Sequence, residues 1–278
     1  MRGLIQRAST AIFFVIVMLG GLYGGEYPFV ILFALITVLC LWEYLNMVLS
    51  RYHRRDRFRI LLGVTFGLTP FALASLLQLE LIVRYEQFVI ISSILVFPFI
   101  FLAFIYELFS QSDRPFQNVA FIVLGMVYIG GPFALLDFIA FDNDTFYANT
   151  VFGLLAMTWM NDTGAYLVGS RIGKTPLLPR ISPKKTWEGT IGGILVTFAT
   201  AFALCYCVDE LRWIDWMVLA AITVIFGSIG DLVESMLKRS AGVKDSGGLL
   251  PGHGGVLDRF DAFIFLLPFA AAYILYVR

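Results

Sequence analysis

The chain has 278 residues, a formal net charge of zero and a mean hydropathy of +0.83, with 59% hydrophobic and only 14% charged side chains. This composition excludes an ordinary soluble globular domain and matches a polytopic membrane protein, for which the bilayer is the solvent. Zero net charge says nothing about partners, so the information lies in where the charges sit.

Apolar runs long enough to cross about 30 Å of hydrocarbon recur at Ala8–Tyr23, Pro28–Leu49, Ile60–Leu79, Phe88–Leu108, Val119–Phe141, Val151–Val168, Thr190–Val208, Trp213–Gly230 and Ala262–Val277. Lipid offers the backbone no other hydrogen-bond partners, so these are predicted to be helices. The expectation is an all-α polytopic integral membrane protein of about nine transmembrane helices. Arg2 and Arg7 before the short first run also resemble a signal peptide, but no clear small-residue cleavage site follows.

With a cytoplasmic N-terminus, all 20 basic residues except Arg84, Arg212 and Arg278 fall on the cytoplasmic side. That asymmetry is the positive-inside pattern, and a missed or added span would scramble it. The arginine-rich connection "RYHRRDRFR", Arg51–Arg59, reads as a topology determinant at that interface, with recruitment of anionic lipid as the alternative. Cys40, Cys205 and Cys207 lie in apolar runs without paired spacing and read as core thiols. The chain divides into residues 1–118 with four spans, 119–150 with the fifth span and an outward loop, and 151–278, where the polar chemistry gathers.

Three polar clusters interrupt the later spans. In "WMNDTGAYLVGSRIG", Asn161 and Asp162 fall near the middle of the sixth span, where a carboxylate costs roughly 3 kcal/mol on insertion scales. An intramembrane aspartate is a functional hypothesis by default; its alternative is a helix-packing hydrogen bond with Asn161 or Thr163. In "RISPKKTWEGTIGG", Lys184 and Lys185 stand beside Ser182 and Thr186, charge and hydroxyl geometry suited to phosphate oxygens. The third cluster runs through "GDLVESMLKRS" into "KDSGGLLPGHGGVLDRFD". Asp231, Glu234 and Ser235 share one helical face with Lys238 and Arg239 a turn further, and Asp258 and Asp261 repeat the i, i+3 spacing before the ninth span.

Carboxylates supply hard oxygen ligands for Mg²⁺, which takes one or two of them plus water and phosphate oxygens. Lysines and arginines neutralise polyphosphate, and Gly247, Gly248, Gly252, Gly254 and Gly255 allow close approach of backbone amides. No G-x-S-x-G, H-E-x-x-H or Walker A motif is present. The combination suits metal-assisted phosphoryl or nucleotidyl transfer.

The stretch "SMLKRSAGVKDSGGLLPGHGGVLDRFD", Ser235–Asp261, closely resembles the signature of phosphatidate cytidylyltransferases (CDP-diacylglycerol synthases): S-x-x-K-R-x4-K-D, a Gly-rich step, P-x-H-G-G and D-R-x-D. "NDTGAYLVGSRIGKTPL" and "ISPKKTWEGTIGG" resemble that family's upstream landmarks in the same order. The resemblance implies transfer of CMP from CTP to phosphatidic acid, a Mg²⁺ cofactor with room for a potassium ion beside it, and a homodimer. Its partners are CTP, phosphatidic acid and membrane lipid, with no nucleic acid. On this basis Asp231 and Asp258 are the principal expected metal ligands, followed by Asp245, Asp261 and Asp162. The expected catalytic set is Asp231, Lys238, Arg239, Lys244, Asp245, Asp258 and Arg259. Asn161, Ser182, Lys184, Lys185, Thr186, His253, Gly254 and Gly255 are expected to contact nucleotide and phosphate. The site is expected to face the cytoplasm from a bacterial inner membrane. The rivals are another CTP-dependent lipid transferase, such as a polyprenol kinase or an ether-lipid cytidylyltransferase, and an ion-coupled transporter. The complete signature favours the phosphatidate enzyme over the former, and the one-sided crowding of charge argues against the latter.

Overall fold

The computed structural model describes residues 2–49, 57–82, 85–110, 112–142, 145–249 and 254–278. Among them nine continuous helices follow one another: α1 (Arg2–Tyr23), α2 (Glu26–Leu49), α3 (Arg57–Gln78), α4 (Tyr85–Phe109), α5 (Pro115–Ala140), α6 (Ala148–Ile172), α7 (Trp187–Cys207), α8 (Trp213–Ser240) and α9 (Leu257–Val277). Each predicted span lies on one of them to within one residue at its C-terminal end, most helices starting before the apolar run. Seven are long and apolar enough to cross a membrane by length and composition; α1 has a shorter apolar stretch, Ser9–Tyr23, and α6, with Asn161, Asp162, Ser170 and Arg171, is not among the seven.

Two short antiparallel ribbons complete the described residues: β1 (Phe141–Asp142) with β2 (Thr145–Phe146), and β3 (Pro176–Leu178) with β4 (Ser182–Thr186). Two helices contain a wider π turn, Met126–Gly130 in α5 and Thr223–Gly227 in α8. The arginines at 51, 54 and 55, together with Arg84, lie outside the described residues. The three cysteines differ in burial: Cys40 is buried, Cys205 half-buried and Cys207 exposed, so only the first is a core thiol.

The chain forms two compact units. The first comprises Met1–Phe138 and Asp245–Arg259. Its helices α2, α3 and α5 meet at small residues. A Cβ on Gly130 would fall 1.9 Å from the Gly67 carbonyl oxygen, and one on Gly63 or Gly67 would strike Leu45 or Leu41. Tyr44, fully buried, donates its hydroxyl to the Phe121 carbonyl at 3.2 Å. Arg59, counted above among the loop cations, is buried: its guanidinium pairs with Glu107 of α4, which also accepts from Asn118 of α5 at 2.9 Å. A buried charge needs such a partner, since alone it would carry its full desolvation penalty.

The second unit comprises Ile139–Lys244 and Phe260–Arg278. Helices α6 and α7 pack backbone to backbone through glycines on both: a Cβ on Gly164 or Gly192 would lie within 3.0 Å of Val196 or Val168, and one on Gly193 would lie 2.7 Å from Asn161 Oδ1. Close approach through small residues is how helices gain contact where lipid removes the hydrophobic drive. Arg212 and Arg278 are both engaged by protein. Arg212 bonds Asp215, and Arg278 lies 3.7 Å over the Tyr147 ring while donating to Ile139 O and Thr150 Oγ1.

Candidate active site

In the second unit, α8 carries the acidic face anticipated from its spacing. Ser235 Oγ donates to Asp231 Oδ1 at 3.4 Å, and Glu234, one turn from Asp231, is fully buried and ion-paired with Lys238. The helix stops at Ser240 for a local reason. Gly242 adopts φ +72°, and the amides of Val243 and Gly242 bond the carbonyls of Lys238 and Arg239, a glycine-closed C-terminus. Gly230 brings α8 against α9: a Cβ there would fall 2.5 Å from Phe265 Cβ and 2.9 Å from the Asp261 carbonyl oxygen. That proximity sets the charge of Asp261, itself buried, against those of Asp231, Glu234 and, from α6, Asp162.

The β3–β4 ribbon delivers a cation to the same face. Lys185 on β4 forms an ion pair with Asp231, each side chain about one-third exposed (30% and 29%). Thr186 caps α7, accepting from the Gly189 amide at 3.2 Å, and a capping oxygen satisfies an otherwise orphaned helix donor. Glu188 accepts from the Lys174 and Thr175 amides and the Thr175 hydroxyl, which fixes the start of the ribbon to α7. Lys184 points to solvent and Ser182 is half-buried. Asn161 is buried in the α6–α7 contact, where Oδ1 accepts from Thr197 Oγ1 at 3.3 Å, whereas the neighbouring Asp162 is exposed. Arg239 and Lys244 are exposed, the former donating to the Val243 carbonyl at 3.4 Å.

In the first unit, the segment Asp245–Arg259 is built around Asp258. Its carboxylate accepts from the amides of Gly255 at 2.8 Å and Ser246 at 3.1 Å. Gly254 adopts φ +88°, and a Cβ there would lie 2.8 Å from Asp258 Oδ2, so glycine is required twice over. Asp245 and Arg259 are exposed. His253 and Gly252 lie outside the described residues. Sequence reasoning missed two residues here: Ser246, which is buried, and Glu43 of α2, whose Oε2 accepts from Ser246 Oγ at 3.1 Å and from the Leu257 amide at 2.9 Å. A carboxylate inside an apolar span was the one available signal for Glu43.

Among the described residues no three His, Cys, Asp or Glu side chains converge as a preformed metal cage. The second-unit cluster sets the carboxyl groups of Asp162, Asp231, Glu234 and Asp261 beside Lys185 and Lys238. Hard oxygen donors of that kind are what a divalent cation such as Mg²⁺ takes.

The chain matches the family model described as "Cytidylyltransferase family" over residues 5–277. It is similar to the phosphatidate cytidylyltransferase of Staphylococcus aureus (strain COL), 34% identical over 94% of this chain and 95% of that one. It is also similar to the phosphatidate cytidylyltransferase of Bacillus subtilis (strain 168), 38% identical over 95% of both chains.

Proposed function

Because the chain belongs to the cytidylyltransferase family, we infer that it transfers CMP from CTP to phosphatidic acid, giving CDP-diacylglycerol and pyrophosphate for phospholipid synthesis. The observation that carries this reading is the extent of the match: relatives named for that activity align over 94% or more of the chain, and the family model spans residues 5–277, taking in every candidate residue above.

The chemistry asks for charge rather than for a strong base. An ionised phosphate oxygen of phosphatidic acid attacks the α-phosphorus of CTP, forming a new P–O bond. The bond from that phosphorus to the bridging oxygen breaks, and pyrophosphate leaves with the electron pair. Repulsion between the two anions is the principal obstacle, and preorganised positive charge lowers it. Lys184, Lys185, Lys238, Arg239 and Lys244 of the second unit and Arg259 of the first are the proposed cations for the CTP and pyrophosphate oxygens. Asp231 with Asp162 and Asp261, and Asp258 with Asp245, are the proposed Mg²⁺ ligands. Bound Mg²⁺ would add Lewis-acid neutralisation of the phosphate charge. A potassium ion beside it is carried over from the family resemblance alone.

The exposure of Asp162 supports a polar opening along α6, and the burial of Asn161 and the capping role of Thr186 support positioning tasks for those two. A cytoplasmic N-terminus and a cytoplasm-facing site are supported by the distribution of basic residues. A bacterial inner membrane is supported by the bacterial relatives, and a homodimer by the resemblance. The test is pyrophosphate release from γ-labelled CTP by purified protein in mixed micelles. Release dependent on phosphatidic acid, with CDP-diacylglycerol as the lipid product, is expected. Turnover only with a polyprenol or an ether lipid would overturn the reading.

A further inference from the structure

Glu43 stands in an apolar helix and is only 3% exposed. A carboxylate placed there is costly and needs partners that hold it. Both its hydrogen bonds come from the segment that carries Asp258. Oε2 accepts from the Ser246 hydroxyl, 203 residues away in sequence, and from the Leu257 amide. Ser246 follows Asp245 and Leu257 precedes Asp258, so a single oxygen fastens both ends of the glycine loop. Room for it is made by the loop's own glycines. A Cβ on Gly247 would fall 2.3 Å from Oε1, and one on Gly255 2.4 Å from Oε2 and 2.1 Å from Ser246 Oγ. Ser246, which donates its hydroxyl to Glu43, also donates its amide to Asp258, as does the amide of Gly255. Glu43 Oε1 is buried and accepts no hydrogen bond, so the carboxylate's role is carried by Oε2.

We propose that Glu43 is a positioning residue for nucleotidyl transfer: its carboxylate, through Ser246 and the Leu257 amide, closes the glycine loop and thereby fixes Asp258. The proposal rests on the reading of that loop as part of the transfer site. Neither Gly247 nor Gly255 then serves only to let a ligand approach, because each is small to admit the carboxylate of α2. Glu43→Gln keeps the volume and one acceptor oxygen but loses the charge that strengthens both bonds. Ser246→Ala removes one of the two donors.

The experiment combines turnover with hydrogen–deuterium exchange of the full-length protein in detergent, for wild type, Glu43→Gln, Ser246→Ala and the double variant. Glu43→Gln is expected to lower kcat about 10- to 100-fold, the range seen when the outer-shell partners of metal ligands are lost, metal ligation being the role proposed for Asp258. KM for phosphatidic acid should stay within about twofold, and exchange should quicken in residues 244–249 and 254–258 while α2 keeps its protection. The double variant should be no slower than Glu43→Gln alone, because both changes break one clamp. Full turnover despite a loosened loop would overturn the positioning role. Exchange that spreads through α2 with a matching fall in thermal stability would overturn it too, leaving Glu43 a core carboxylate. If the wild-type protein makes no CDP-diacylglycerol, the reading of the reaction fails instead, whatever the exchange pattern.

Discussion

Lys185 of β4 forms an ion pair with Asp231 of α8. The pair joins the residue sequence reasoning assigned to phosphate with the residue it assigned to metal, two polar clusters separated by the whole of α7. Lys185 is thereby held beside the acidic face of α8, where its ammonium would be within reach of a phosphate oxygen and Asp231 would be available to hold Mg²⁺.

Asp231→Asn should therefore lower kcat by about 10²–10³, the usual effect of deleting a preorganised electrostatic group. Lys185→Ala should lower kcat/KM for CTP with little change in KM for phosphatidic acid. Thermal unfolding should hardly move in either variant, since a pair this exposed contributes at most about 1 kcal/mol. Steady-state pyrophosphate release and a melting curve check both halves.

Removing divalent metal with a chelator should abolish turnover, and added Mg²⁺ should restore it. The gathering of four carboxyl groups around Asp261 beside two lysines leads to a second expectation: Mg²⁺ alone should raise the melting temperature of wild-type protein and do so less for Asp231→Asn. A metal-independent enzyme would show neither effect.

Neighbouring glycines of the loop should behave differently. Nothing lies within 4 Å of a Cβ built on Gly248, whereas one on Gly247 meets the Glu43 carboxylate. Gly248→Ala should stay within about twofold of wild-type activity, and Gly247→Ala should lose at least tenfold, consistent with an overpacking penalty of about 1–3 kcal/mol. Equal losses at the two positions would mean that ligand approach, not Glu43, demands the glycines.

Arg59→Ala should destabilise the protein by about 3–5 kcal/mol by leaving Glu107 buried without its charge partner. Replacing both by apolar residues, as Arg59→Met with Glu107→Leu, should recover much of that loss. Yield and apparent melting temperature in detergent are the measurements, and a neutral Arg59→Ala would show that water reaches Glu107.

Seven of the nine described helices were legible because they are long and apolar, and that signal is local; α1 and α6 were read from the shorter runs Ala8–Tyr23 and Val151–Val168. The face of Asp231, Glu234 and Lys238 was legible because helical spacing alone sets it. Glu43 was not, because its partners lie in Asp245–Arg259 and the intervening chain gives no sign of the pairing. Arg59 was counted correctly as a charge but not as a buried one: residue type fixes its sign, whereas burial depends on Glu107 and Asn118. Asn161 and Asp162 read alike as sequence neighbours, yet successive residues on a helix point about 100° apart. One enters the α6–α7 contact and the other does not.

The π turn at Thr223–Gly227 gives α8 a dependence on residue count that no side-chain replacement would reveal. Such a turn absorbs one residue more than an α-helix of the same length. Deleting a single residue from it should let the helix rewind as regular α with Asp231, Glu234 and Lys238 kept in their present orientation, whereas the same deletion in the regular helix at Ser228–Gly230 would turn that face by about 100° relative to the stretch before it. The enzyme should therefore survive the loss of one residue within the π turn and fail when the loss falls one turn later.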